Sequence, residues 1–273
     1  MTPGILFSER PLLGALLAAT LLAVPAGLPR AFRRRRLFCG LSLGMAAAAG
    51  VLNIAVLGAA WTEAGRPPFK TLYETLLLAP ACIWGVTLVL VGLYRLWVLV
   101  PFSAGVNAAC LLHAVLKPDV EISSLPPALQ SAWFVPHVVT YFAAYAGLFA
   151  SFVLALLALI RPSRAPGQTG PPGFEDYAHR AASFGIAALT LGLGMGAAWG
   201  KEAWGDYWTW DPKENWALVS WLSYLIYLHL RRVRGWKGRP AMTILLLSFL
   251  AVVFTYLGMR LLPTSEGSLH VYQ

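Results

Sequence analysis

Long apolar runs separated by short polar joints dominate the pattern of this chain. A helix needs about 20 apolar residues to cross a bilayer core, and eight segments approach or exceed that length. They are 11–29, 38–60, 72–94, 97–116, 134–160, 179–198, 215–230 and 241–262. The seventh is short, but the aromatic residues before it suit a position in the membrane interface. The pattern predicts an all-α polytopic membrane protein with about eight transmembrane helices.

The composition supports this class. Of the 273 residues, 58% are hydrophobic and 12% are charged, whereas soluble domains carry about 25% charged residues. The net charge of +9 would suit nucleic acid, but the basic residues stand in short runs between apolar segments, as they do in membrane proteins. We therefore expect a lipid bilayer, and not nucleic acid, around the chain. The three cysteines lack CxxC spacing and indicate neither a zinc site nor thiol redox work.

The distribution of basic residues predicts how the spans are oriented. Most of the 21 lysines and arginines lie in the joints after the first, third, fifth and seventh spans. The alternate joints hold Arg66, Lys70, Lys117, Lys201 and Lys213. Because basic loops tend to stay in the cytoplasm, the N-terminus and the C-terminus are both predicted to lie outside. The segment between the sixth and seventh spans is predicted to lie outside as well.

That segment, 199–214, concentrates aromatic residues. Its sequence is WGKEAWGDYWTWDPKE, and its glycines, acids and proline suit neither a buried strand nor a lipid-facing helix. Its tryptophans are Trp199, Trp204, Trp208 and Trp210. We interpret the segment as an external aromatic platform that holds a large, flat, apolar ligand.

Two acids in this segment have a structural explanation. Asp211 precedes Pro212, which suits the first turn of a helix, and Glu214 stands in capping-box register with Asp211. These acids are predicted to start the seventh helix rather than to form a catalytic carboxylate pair. A further acid, Glu74, lies just inside the third span, where a carboxylate is costly unless it meets a basic group or lines a cavity.

Two histidines are predicted to share the outer side with the platform. His137 begins the fifth span and His270 lies in the C-terminal tail. Two neutral imidazoles that face each other across a flat macrocycle would form a bis-histidine haem site. The residues alone leave a simpler alternative equally open, in which His137 is an interfacial residue and His270 a solvated one.

A third histidine, His229, ends the seventh span on the predicted inner side. An ionisable residue at the end of a span is a candidate functional residue, but the position beside Arg231 also suits an interfacial, snorkelling side chain. The helix from Asn215 to His229 would extend about 21 Å, which would give one ligand two stations at different depths. His113 and His179 are more typical of structural residues.

Several stretches resemble the CcsA (ResC-related) cytochrome c assembly proteins of the system II pathway, which are haem-handling membrane proteins. The segment WGDYWTWDPKENWALVSWLSYLIYLHLR resembles the WWD signature of that family. FKTLYET, ALQSAWFVPHV, and FTYLGMRLL followed by SLHVYQ resemble further family stretches. The tail departs from the usual LHSYG, and Asn215-Trp216 replaces the usual Thr-Trp. The resemblance divides the chain into an N-terminal transmembrane pair, 1–64, and a CcsA-like haem-handling domain, 65–273, with an external WWD loop at 199–214.

The resemblance implies roles for individual residues. His137 and His270 would be the axial ligands of an external haem b that is bound transiently. His229 would be the transmembrane ligand that receives haem on the inner side. The platform for the external haem would be formed by Trp199, Trp204, Trp208, Trp210 and Asp211.

The resemblance also implies a function. The protein would transport haem and present it at the periplasmic face of the bacterial inner (cytoplasmic) membrane, for covalent attachment to the CxxCH cysteines of apocytochrome c. Its partner would be a CcsB (ResB-like) membrane protein. Whether the chain catalyses thioether formation, or is the haem-presenting subunit of a holocytochrome c synthase (haem lyase) complex, stays open. The alternatives are a system I WWD protein, a quinol-reactive b-type cytochrome subunit with permanently bound haem, and a structural membrane subunit.

Overall fold

A computed structural model describes residues 5–23, 35–116, 124–161 and 172–258. These ranges hold eight α-helices and the short 3-10 helix Pro127–Leu129, with no strand among them. The helices are α1 (Ile5–Ala23), α2 (Arg35–Ala64), α3 (Leu72–Tyr94), α4 (Leu99–Leu116), α5 (Phe134–Ile160), α6 (Phe174–Trp204), α7 (Pro212–Arg232) and α8 (Arg239–Leu257). The predicted all-α class is confirmed.

Six helical stretches in the described ranges are long and apolar enough to cross a membrane. They are Leu43–Ala64, Leu72–Tyr94, Leu99–Leu116, Phe134–Ile160, Phe174–Trp204 and Arg239–Leu257. Polar and charged residues occupy both ends of α7, and the apolar part described for α1, Gly14–Ala23, is shorter. The chain is therefore a polytopic membrane protein. Membrane crossing by α1 and α7 stays a prediction, as does the outward orientation of the termini.

The ends of α6 differ from the predicted span 179–198. The helix begins at Phe174, because the Asp176 carboxylate accepts a hydrogen bond from the Gly173 amide (3.1 Å). It continues to Trp204 and ends at Gly205, whose φ of +88° favours glycine. The predicted loop 199–214 is therefore wrong in its bounds. Its first part is the last turn and a half of α6, its end is the start of α7, and the connection proper is 205–211.

Packing divides the chain into two compact units, one up to Gln130 and the other from Ser131. Unit 1 contains α1 to α4, and each helix packs mainly against its neighbours in the chain, with α1 also against α4. Its core combines alanines with larger side chains such as Leu77 and Trp84. The functional division predicted at residue 64 stays a prediction.

A buried ion pair fixes the start of α3 in unit 1. The Arg66 guanidinium donates to both carboxylate oxygens of Glu74 (2.7 and 3.2 Å), and both side chains are less than 10% exposed. Glu74 also accepts from the Thr71 amide (3.3 Å), while the Thr71 hydroxyl accepts from the Glu74 amide (3.2 Å). This is a complete capping box. The expected basic partner of Glu74 is thus Arg66.

Replacing Glu74 by alanine is expected to destabilise the protein by about 3–5 kcal/mol, because Arg66 would remain buried without its counter-charge. Unfolding of the purified protein in detergent, followed by circular dichroism, measures this effect. Glu63→Ala is the matched control, since Glu63 is an exposed acid near the end of α2. Equal midpoints for the two variants would contradict the prediction.

Unit 2 contains α5 to α8, and α5 packs on both α6 and α8. The contact between α5 and α6 is close because glycines face large side chains. A Cβ at Gly185 would lie 2.4 Å from a methyl carbon of Leu148, which is closer than carbon atoms can pack. Further along, the Ser151 hydroxyl donates to the Ala178 carbonyl (2.9 Å). Small residues of this kind allow membrane helices to approach closely.

Candidate functional site

A pocket at one end of unit 2 collects residues from all four of its helices. Its empty space is about 740 Å³, including the open mouth, which is within the range of small-molecule sites. The pocket is lined by His137, Val138, Tyr141, Phe142, Tyr145, Leu193, Gly196, Ala197, Trp199, Tyr207, Trp208, Lys213, Glu214, Ala217, Thr255 and Tyr256. Most of these side chains are aromatic or aliphatic. The pocket therefore suits a large apolar molecule that needs few polar contacts.

His137 lies in the first turn of α5, where its amide donates to the Trp133 carbonyl (3.0 Å). Its ring atom Nδ1 lies 2.8 Å from the Gly192 carbonyl oxygen on α6. Since a carbonyl oxygen can only accept, this contact assigns a proton to Nδ1, which in a neutral imidazole leaves the lone pair on Nε2. Metal-ligating histidines commonly donate their other ring N–H to a carbonyl in this way. His137 therefore has the tautomer that a ligand to haem iron requires.

Two glycines of α6 let the rings of His137 and Tyr141 lie against this helix, and Gly196 forms the seat of the His137 ring. A Cβ at Gly196 would lie 2.6 Å from Cε1 and 2.8 Å from Nδ1 of His137. A Cβ at Gly192 would lie 2.4 Å from the ring of Tyr141. Only glycine lets both rings lie directly against the backbone of α6.

The start of α5 and the end of α6 are tied together beside this seat. The Ser131 hydroxyl donates to the Glu202 carboxylate (2.5 Å) and accepts from the Trp133 amide (3.1 Å). The hydroxyl thus satisfies an amide in the turn that leads into α5. The tie fixes the start of α5, and with it the position of His137, relative to α6.

The tryptophans of the predicted aromatic platform do not all line the pocket. Trp199 is 5% exposed, and its ring centroid lies 5.6 Å from that of His137 at an interplanar angle of 34°. Trp204 packs on Trp199 at 4.8 Å and does not line the pocket. Trp208 lines the pocket from the connection 205–211. Trp199 and Trp208 are thus the two tryptophans that a bound ligand would meet.

Trp210 points away from the pocket lining. It is 69% exposed and contacts the Trp208 ring edge-on at 6.1 Å. Its backbone φ of +60° lies in the left-handed region, which is rare for an aromatic residue. The Asn215 side-chain amide donates to the Trp210 carbonyl (2.9 Å) and holds this turn.

Asp211 has the helix-starting position that its sequence predicts. It is 6% exposed, and its carboxylate accepts from the Lys213 amide (2.8 Å). Glu214 accepts from the amides of Asp211 (3.2 Å) and Thr209 (2.8 Å). The capping box is therefore confirmed. Asp211 does not line the pocket, whereas Lys213 and Glu214 do.

The other histidines occupy different places. His229 is exposed in the last turn of α7, at the end of unit 2 opposite to His137. His113 is exposed on α4. The His179 ring accepts from or donates to the Tyr227 hydroxyl (3.1 Å), which fits the structural role predicted for it. His270 lies outside the described residues, so its pairing with His137 stays a prediction.

Three tyrosines in the pocket were not predicted. Tyr141 and Tyr145 follow His137 at four and eight residues, so they share its face of α5. The ring centroids of His137 and Tyr141 lie 4.7 Å apart, and those of Tyr141 and Tyr145 5.6 Å apart. The helical spacing on α5 was a signal for these two residues. Tyr256 reaches the pocket from α8 and lies 6.3 Å from Tyr145, a contact without any local signal.

The described residues contain no group of three or more His, Cys, Asp or Glu side chains that could hold a bare metal ion. His137 alone therefore suits iron that a macrocycle already holds, and not a bare metal ion. The aromatic lining, the tautomer of His137 and its glycine seat fit such a group.

Comparisons with known proteins identify the family of this chain. The family described as cytochrome C assembly protein matches residues 44–265. The chain is 35% identical over 242 residues to a cytochrome c biogenesis protein CcsA of Chlamydomonas reinhardtii, covering 84% of this chain and 67% of the relative. It is 32% identical over 254 residues to a CcsA of Prochlorococcus marinus, covering 79% of each.

A solved structure supports the fold. The chain resembles a cytochrome c haem lyase CcmF with a TM-score of 0.71 and 19% identity. The match covers 94% of this chain and 47% of that chain, so this chain spans about half the length of the CcmF protein.

The fold and the pocket define a polytopic membrane protein with an aromatic, histidine-bearing site at one end of a helical unit. The chain belongs to the cytochrome c assembly protein family and is of the CcsA type. This membership assigns it to cytochrome c biogenesis.

Proposed function

We propose that the pocket of unit 2 binds haem b transiently and presents it for attachment to apocytochrome c. The observation that carries this proposal is the contact between His137 Nδ1 and the Gly192 carbonyl (2.8 Å), inside a pocket with aromatic walls. A permanently bound haem would normally have two helical histidines facing each other within the bilayer. Here His137 lies in the first turn of a helix and its predicted counterpart, His270, in a tail, which favours binding followed by release.

Each residue of the pocket has a task in this proposal. His137 and His270 would hold the haem iron. Trp199 and Trp208 cover the macrocycle and exclude water, and the Asp211 cap holds the connection from which Trp208 projects. When bound, haem would supply vinyl groups, and the S–H groups of a CxxCH segment would add across their double bonds to form thioethers with no leaving group. Presentation of haem is the role that these residues support; no described side chain is assigned to the thioether reaction.

The exposed position of His229 supports a second station that a partner completes. Its face of α7 also carries Val219, Leu222 and Ile226, which are between 43% and 56% exposed. An ionisable side chain on such a face is costly in lipid unless another protein covers it. We infer that a CcsB (ResB-like) partner packs on this face and that His229 binds haem there before the haem reaches the outer pocket.

The haem content of the purified complex tests the function. The chain, purified with its CcsB-like partner, is expected to carry non-covalent haem b with a low-spin, bis-histidine spectrum. His229→Ala is expected to lower the total haem content, because haem would fail to load. A wild-type complex without extractable haem would refute the function, while full loading of His229→Ala would refute only the second station.

The orientation that we propose in the bacterial inner membrane is supported by basic residues beside the ends of α5, α6 and α7 that lie opposite the pocket, such as Arg161, Arg180 and Arg231. With this orientation, the pocket and the C-terminus face the periplasm. A cysteine added after Gln273 is expected to react with a membrane-impermeant maleimide in intact spheroplasts. Labelling only after lysis would reverse the orientation and place the pocket on the cytoplasmic side.

A further inference from the structure

The connection between α7 and α8 is a folded turn rather than a loose loop. The Trp236 amide donates back to the Leu230 carbonyl (3.1 Å), and the Arg231 guanidinium donates to the Trp236 carbonyl (3.2 Å). Gly235 and Gly238 both have φ of +66°, in the left-handed region that favours glycine. We name residues 232–239 the basic turn.

A buried ion pair anchors this turn to α6. The Arg231 guanidinium pairs with the Glu175 carboxylate, and both side chains are about one-tenth exposed. The same carboxylate accepts from the Gly238 amide (3.0 Å), just before α8 begins. Asp176 lies 3.8 Å from Arg231 as well. The nearby acids, Glu175 and Asp176, thus face Arg231. Among the described residues, no acid forms an ion pair with the cations of the basic turn.

The basic turn presents cations and apolar side chains together. Its cations Arg232, Arg234, Lys237 and Arg239 are all exposed. Among them stand Trp236, 41% exposed, and Val233, 67% exposed. A surface that binds only soluble polyanions would gain nothing from these two apolar side chains. Tryptophan beside lysine and arginine is typical of the headgroup region of a membrane.

The turn also stands at the right place for a membrane surface. It immediately precedes α8, which is long and apolar enough to span the bilayer. A cluster of basic residues at the end of a transmembrane helix attracts anionic lipids, at about 1 kcal/mol per Lys or Arg. The anchored backbone holds the cations in a fixed arrangement, so little ordering would be required when a headgroup binds.

We propose that the basic turn is a binding site for the phosphate headgroups of anionic phospholipids. Arg232, Arg234, Lys237 and Arg239 bind the phosphates, and Trp236 and Val233 enter the interface between headgroups and acyl chains. Lipid binding there stabilises the end of unit 2 where α6, α7 and α8 meet. The site is separate from the haem pocket and does not depend on the function proposed for it.

The experiment compares two lipids in detergent micelles, where membrane orientation has no influence. The purified protein is titrated with phosphatidylglycerol or with phosphatidylcholine, and lipid binding is counted by native mass spectrometry. The wild type is expected to bind phosphatidylglycerol at about tenfold lower concentration than phosphatidylcholine, with the preference weakening as salt is added. The variant Arg232→Gln/Arg234→Gln/Lys237→Gln/Arg239→Gln is expected to bind both lipids equally.

A charge-retaining variant and soluble anions complete the test. Arg232→Lys/Arg234→Lys/Arg239→Lys is expected to keep the preference, which separates loss of charge from loss of structure. Trp236→Ala is expected to weaken phosphatidylglycerol binding. The concentration at which heparin competes for the site is expected to stay the same. The proposal is overturned if the neutralised variant keeps the preference for phosphatidylglycerol. It is also overturned if heparin or inorganic phosphate, at matched charge, displaces bound phosphatidylglycerol as effectively as added phosphatidylglycerol does.

Discussion

Replacing His137 by alanine is expected to abolish the low-spin haem spectrum of the outer pocket, while the complex remains folded. His137 is the one histidine among the described pocket residues, and its Nδ1–H contact with Gly192 leaves Nε2 of a neutral ring to bind iron. The aromatic walls would still contact the macrocycle, so we expect the variant to retain weak binding of high-spin haem. The absorption and electron paramagnetic resonance spectra of the purified complex measure the change.

His113→Ala is the matched control, since His113 is an exposed histidine on α4 in unit 1. It should leave the spectrum unchanged. Exogenous imidazole should restore a low-spin spectrum to His137→Ala by occupying the vacated position, and His270→Ala should show the same loss and the same rescue. An unaltered spectrum in both His137→Ala and His270→Ala would show that haem is held elsewhere.

The helices could be predicted from the sequence because local chemistry determines them. The apolar runs 72–94 and 134–160 coincide with α3 and α5, since a polar or charged residue stands directly beyond most of their ends. Asp211 and Glu214 were predicted as a helix start because a capping box needs only residues three apart. The end of α6 was placed too early, because Trp199 to Trp204 carry glycine and charged residues and nevertheless remain helical.

The contacts that make the site could not be predicted in this way. The Gly192 carbonyl and His137 are 55 residues apart in sequence and meet only because α5 and α6 pack closely. Trp208 lines the pocket, whereas Trp210, whose own φ of +60° is left-handed, is exposed. The sequence shows two tryptophans two residues apart, and only the backbone conformation distinguishes the pocket residue from the exposed one.

The two ends of unit 2 differ in the way that the proposed transport of haem requires. The pocket is aromatic with an open mouth, and its histidine contacts a backbone carbonyl. At the other end, His229 is exposed beside an apolar face that we propose a second protein covers. Transfer from the second station to the first would move haem from a site shared with the partner to one built by this chain, along the length of α7. Loading and presentation would then depend on different residues, which single substitutions can separate.

Gly196→Ala is expected to weaken haem binding by about 10–100-fold although both proposed ligands remain, because a displaced ligand-orienting contact typically has that effect. The new methyl group would lie 2.6 Å from Cε1 of His137, so the ring must move away from α6 and its hydrogen bond to Gly192 must lengthen. Titration of haem into the haem-free complex measures the midpoint.

Gly194→Ala is the matched control on the same helix. A Cβ at Gly194 meets nothing within 4 Å, so the substitution should leave haem binding unchanged and raise stability by up to about 1 kcal/mol through helix propensity. A general response of α6 to alanine would affect both variants equally and would refute the glycine seat. Weakened binding in Gly196→Ala alone, with circular dichroism unchanged, would locate the effect at the His137 ring, because the two substitutions differ only in the face of α6 on which the methyl group stands.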